Sequence, residues 1–182
     1  KKIICLLLIL SITLLFVKAQ LPLQCGKYII NEAAEQRAQL FAKQKNSPLI
    51  VNNMIRVYFY IVANDDGTMP AATPAQIENE FRQIVDDYAS DNLCFANMGF
   101  RYINSTNINF NINCDNPASY NALNPWLVPN CITIFFQRAL GANGGGSYGG
   151  NAYSIPNTFC SVATGNINSG RTTSHEVGHC LG

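Results

Sequence analysis

MIRVYFYIVANDDGTMPAATPAQIENEFRQIVDDY, residues 54–88, decides the fold class. Its opening run, Met54 to Val62, is aromatic and β-branched, and Ile55, Val57, Phe59 and Ile61 share one face at the two-residue period of a buried strand. The turn-rich stretch NDDGTMP, residues 64–70, ends that run. A helix start follows by three signs: Thr73 as N-cap, Pro74 in the first turn, and Gln76 three residues after the cap. Behind it Ile77, Phe81, Ile84, Val85 and Tyr88 recur at helical spacing, which predicts an amphipathic helix packing one face on a sheet.

Strand character returns near Cys94 to Ile103 and again at Cys131 to Phe136, separated by an Asn-rich stretch that closes with PWLVPN. Strand, helix, strand in this order predicts an α/β fold with a right-handed crossover. Residues 141–150, GANGGGSYGG, hold six glycines in ten. No GK[ST] and no helix-opening GxGxxG accompanies them, so they read as a flexible rim beside a cleft rather than a phosphate cradle.

The chain has 182 residues, is 48% apolar and carries a formal charge of +1, which suits one domain and offers no basic stripe for nucleic acid. Lys1 and Lys2 precede an apolar run from Ile3 to Val17, and Val17-Lys18-Ala19 fits a signal-peptidase site, so residues 1–19 are expected to be a secretory leader. As a helix that run rises about 22 Å, short of the roughly 30 Å of a bilayer core. The expected product is secreted and, once the leader is removed, off the membrane. Residues 20–50, including the helix-prone stretch 27–45, are expected to be a propeptide or N-terminal arm, and 51–182 to be part of a separate folded domain. Cys25, Cys94, Cys114, Cys131, Cys160 and Cys180 would then lie where disulfides persist, with pairing left open. No CxxC pair exists, which argues against a zinc knuckle or a thioredoxin-type centre.

The chemistry gathers in SHEVGHCLG, residues 174–182, where the chain's two histidines stand. Four residues apart on a helix, the imidazoles of His175 and His179 can converge on one ion, and zinc takes such nitrogens at about 2.0–2.1 Å. Glu176 is turned about 100° from His175, beside the ligands, where it can act as general base on water. With two histidines and five glutamates in the chain, HExxH by chance is on the order of one in several thousand. Val177 and Leu181, with Cys180 between them, form the expected inward stripe; His175, His179 and Gly182 form the outward one.

His175 to Gly182 resembles the first eight positions of the metzincin signature HExxHxxGxxH. The wording HEVGHxLG, with Thr172 and Thr173 upstream, is especially similar to the pappalysins, the metzincins related to pregnancy-associated plasma protein A. IRVYFYIVANDDG with its following helix looks like the pappalysin opening strand and backing helix, and NAYSIP (152–156 with Asn151) loosely resembles the GYAxxP segment. Cys25-Gly26 is similar to the Cys-Gly motif of pappalysin pro-segments, where the cysteine holds the zinc latent; Gln24 departs from the Arg common there, and Cys25 as a half-cystine stays open beside it.

The resemblance implies a secreted zinc metalloendopeptidase with one catalytic Zn2+, acting on proteins or peptides, with His175 and His179 as metal ligands and Glu176 as base. Gly182 would turn the chain toward a third histidine. It implies a metzincin-like upper subdomain, a twisted mixed sheet with a backing helix and an active-site helix, whose edge strand, within Tyr148 to Ile155, binds substrate as an added strand. It also implies a lower subdomain with a Met-turn. Those parts lie beyond these residues, so the chain alone is expected to hold zinc weakly and to be inactive. The resemblance also leaves room for Ca2+, for which the residues single out no ligands. The alternative is a secreted binding module on the same fold that does not catalyse.

Overall fold

A computed structural model describes residues 53–91 and 93–182. The expected leader, the expected arm and Cys25 lie outside the described residues. Five strands make one mixed sheet: β1 (Asn53–Ala63), β2 (Leu93–Asn104), β3 (Ile132–Gln137), β4 (Gly150–Asn151) and β5 (Phe159–Ala163). Their spatial order is β2-β1-β3-β5-β4, with every pairing parallel except the last, where β4 runs antiparallel to β5 at the sheet's edge. The α-helices are α1 (Pro74–Asp87), α2 (Thr106–Phe110), α3 (Pro117–Tyr120) and α4 (Thr172–Leu181). The chain is therefore an α/β fold, as the strand-helix-strand pattern predicts. No described helix is long and apolar enough to cross a membrane.

Helix α1 begins where its sequence says it should. The Thr73 hydroxyl accepts from the Gln76 N–H at 3.2 Å and the Gln76 side chain accepts from the Thr73 N–H at 2.9 Å, closing a capping box with Pro74 in the first turn. Its buried face, Ile77, Phe81, Ile84 and Val85, meets Val57, Phe59 and Ile61 of β1, Ile134 and Phe136 of β3, and Val162 of β5. The register explains the row: Phe59 lies beside Ile134 and Ile134 beside Cys160, one pleat from Ile61, Phe136 and Val162. Phe59 stacks on Phe136 with centroids 6.0 Å apart and meets Phe81 edge-on at 6.3 Å. Each such side chain contributes roughly 1.5–3 kcal/mol by leaving water.

Strand β1 is buried on both faces, because the sheet has a second cover. Tyr60 and Val62 belong to another cluster with Ile103, Ile108, Ile112, Leu123, Phe135, Leu140 and Phe159. The Asn-rich stretch between β2 and β3 supplies that cover: Ser105 caps α2 and Asn116 caps α3 with their side chains. Asn109, fully buried, accepts from the Arg138 N–H at 3.0 Å and donates to the Met69 carbonyl at 3.2 Å, tying the cover to the end of β3 and the turn after β1. This stretch is structural on its polar residues, which is why apolar periodicity does not reveal it.

Candidate metal centre

Helix α4 carries the whole HEVGH motif. His175 and His179 point to one side, with Nε2 atoms 2.9 Å apart and rings nearly perpendicular. Two nitrogens bound to zinc at 2.0–2.1 Å and a tetrahedral angle stand about 3.3 Å apart. The pair thus fits two corners of a zinc site after a small adjustment. Among the described residues, no group of three or more His, Cys, Asp or Glu is placed to hold a metal ion. Gly182 has φ +111°, the left-handed region that a turn off the helix end demands of its residue.

Glu176 sits beside the histidines but is far more enclosed than they are: it is 6% exposed, whereas His175 is exposed and His179 half-buried. Burial pushes its carboxyl above the ordinary glutamate range, an effect that the neighbouring imidazoles His175 and His179 partly oppose. The enclosing wall is the edge strand. A Cβ at Gly150 in β4 would stand 2.7 Å from Glu176 Oε1, so the main chain lies directly against the carboxyl group. The predicted rim, Tyr148 to Ile155, contains this strand, and its glycine-rich approach is tied rather than loose: the Tyr148 hydroxyl donates to Asp115 at 2.9 Å, and the Asn143 N–H donates to the same carboxylate at 2.7 Å.

One expectation about the helix needs correction. The inward face of α4 is Thr173, Val177 and Cys180, all buried, whereas Leu181 is 38% exposed. The i, i+4, i+7 row from Thr173 turns Leu181 past the core boundary, and it lines a cavity of about 520 Å³ with Arg56, Leu127 and Asn157 instead. That cavity touches none of His175, Glu176 or His179.

What holds α4 in place comes from α1. The N-cap position of α4 is Arg171, whose side chain makes no capping hydrogen bond. In its stead Glu80 of α1, 2% exposed, accepts from the Thr173 hydroxyl with one carboxyl oxygen and from the Asn168 N–H with the other. Asp87 pairs with Arg171 at 3.1 Å. Just past α1, the Tyr88 hydroxyl donates to the Ser174 carbonyl at 2.8 Å. Burial, with Asp87 and Asp91 nearby, pushes the Tyr88 phenol up, so it stays a donor. Gly178 makes this contact fit, because a Cβ there would stand 2.6 Å from the Tyr88 oxygen.

Sequence reasoning passed over Glu80, Tyr88 as a donor, and Gly150. A signal for Glu80 was present: Ile77, Glu80, Phe81 and Ile84 follow the i, i+3, i+4, i+7 row, so an acid interrupts the apolar stripe. A charged residue on a core face needs a partner, and its partners lie 88 and 93 positions away. Comparison with family models, with curated proteins and with solved structures finds no match to this chain.

Proposed function

We propose that this chain contributes to a secreted zinc-dependent endopeptidase of the metzincin kind, similar in its motif to the pappalysins. The observation that carries the reading is the convergence of His175 and His179 within 2.9 Å on one side of α4, with the buried carboxyl of Glu176 beside them. His175 and His179 would hold the ion. Zinc, when bound, supplies a Lewis acid that polarises a peptide carbonyl and acidifies water. Glu176 takes the proton from water and later hands it to the departing amine, and the burial that raises its pKa strengthens it as a base.

The reading also needs a seat for the substrate, and the sheet's edge supports one. β4 is an antiparallel edge, so an extended peptide can pair with its main chain and lie alongside Glu176. The position of Glu80, Asp87 and Tyr88 keeps the two imidazoles and the base on one rigid helix, since a geometric error of about 1 Å costs on the order of 10²-fold in rate. The alternative is a secreted binding module on this fold.

The test uses the whole gene product, with zinc content and cleavage of an unstructured peptide measured together. The endopeptidase reading expects about one zinc per chain and cleavage that Glu176→Gln lowers roughly 10²–10⁴-fold while zinc stays bound. Zinc bound without cleavage by the unmodified protein supports the binding module. Cleavage unaffected by Glu176→Gln removes Glu176 from the mechanism.

A further inference from the structure

Two thiols meet behind the candidate metal centre. Cys160, in the middle of β5, and Cys180, in the last turn of α4, belong to the same buried cluster and are 0% and 5% exposed. Both are free thiols, and the adjoining Cys180 thiol, together with burial, pushes the Cys160 thiol well above the ordinary cysteine range. A second contact places the two backbones together independently of the side chains: the Asn157 N–H, just ahead of β5, donates to the Cys180 carbonyl at 3.2 Å. The setting is otherwise apolar, with Ile134 beside Cys160 in the register and Val177 one turn before Cys180. A pair of thiols in an apolar core packs adequately as two small hydrophobes, and two thiols that adjoin one another can also be joined as a disulfide.

We infer that Cys160 and Cys180 form a disulfide that fastens the helix bearing His175, Glu176 and His179 to the central sheet. The oxidant is a disulfide-bearing one, either a small molecule such as oxidised glutathione or a protein dithiol oxidant. Both S–H bonds break and one Sγ–Sγ bond forms. The two electrons and two protons pass to the oxidant, whose disulfide becomes two thiols. The bond closes the loop formed by residues 161–179, which includes the long connection from β5 to α4, and it constrains the unfolded chain accordingly. It acts at the opposite end of α4 from Glu80 and Tyr88, so the helix is held at both ends. The inference does not depend on what the histidines bind.

The test is a disulfide map of the full chain, refolded in a buffer of reduced and oxidised glutathione and then unfolded in acid with a thiol-alkylating reagent added on neutralisation. Proteolysis without reductant should yield one cross-linked peptide containing Cys160 and Cys180, lost on reduction, with neither cysteine alkylated beforehand. Alkylation of both before reduction overturns the inference. A cross-link from Cys180 to Cys131, which shares the cavity at the end of α4, overturns it as well. A reduced sample carried through the same steps must show both cysteines labelled, which secures the reagent's access.

Discussion

Helices α1 and α4 lie against one another and against the same face of the sheet, yet they are specified by different means. α1 has a capping box, a proline in its first turn and an apolar stripe, all within its own sequence. α4 begins at an arginine with no side-chain cap, contains a glycine near its middle, and has His175, Glu176 and His179 among its ten residues. Gly178 alone weakens a helix by about 1 kcal/mol relative to alanine. What α4 lacks locally it takes from α1 through Glu80, Asp87 and Tyr88. With two imidazoles and a carboxyl at positions that apolar side chains could have filled, α4 has little local support, and a neighbour with a conventional sequence supplies the order.

The largest test of this dependence is Glu80→Ala. It leaves the buried Thr173 hydroxyl and the Asn168 N–H without their acceptor, and a loss of about 2 kcal/mol is expected in urea unfolding. Hydrogen exchange should accelerate in residues 172–181 more than in 74–87. Equal loosening of both helices would break the contrast, because α1 would then depend on α4 as much as the reverse.

Gly178→Ala sharpens the same point through a sign. Alone it should cost about 2 kcal/mol, since the new methyl drives into the Tyr88 oxygen. With Tyr88→Phe, which removes that oxygen, the same change should cost much less or stabilise, because alanine favours the helix by about 1 kcal/mol. Additive losses in the double variant would mean that Tyr88 is not what the glycine accommodates.

The smallest effect belongs to α1's own cap. Thr73→Ala removes the acceptor for the Gln76 N–H and is expected to cost about 1 kcal/mol, with exchange rising in the first turn of α1 and α4 unchanged. A loss comparable to that of Glu80→Ala would show that the local cap, rather than the contact between helices, governs the pair.

How far the sequence can be read follows from the range of the interactions. β1, β2 and β3 declare themselves by β-branched and aromatic runs, and their observed limits, Leu93–Asn104 and Ile132–Gln137, lie within a residue or so of the expected ones. β4 does not declare itself: it has two residues, one of them glycine, and becomes a strand only because β5 lies beside it. The rim was identifiable as a stretch but not as an antiparallel edge. Likewise Leu181 reads as the next member of an inward row, and only the end of the core beneath α4 turns it outward.

By itself the sequence determined the α/β class, the start and buried face of α1, and the helical spacing that brings His175 and His179 onto one side with Glu176 adjacent. Each of these rests on contacts or caps within one or two turns or pleats, where residue type and period suffice. Tertiary structure alone decided that Glu176 is buried against Gly150, that Glu80 grips the start of α4, and that Cys160 meets Cys180. Those depend on where separate elements come to rest, and a contact between residues 93 positions apart leaves no period in the chain to read.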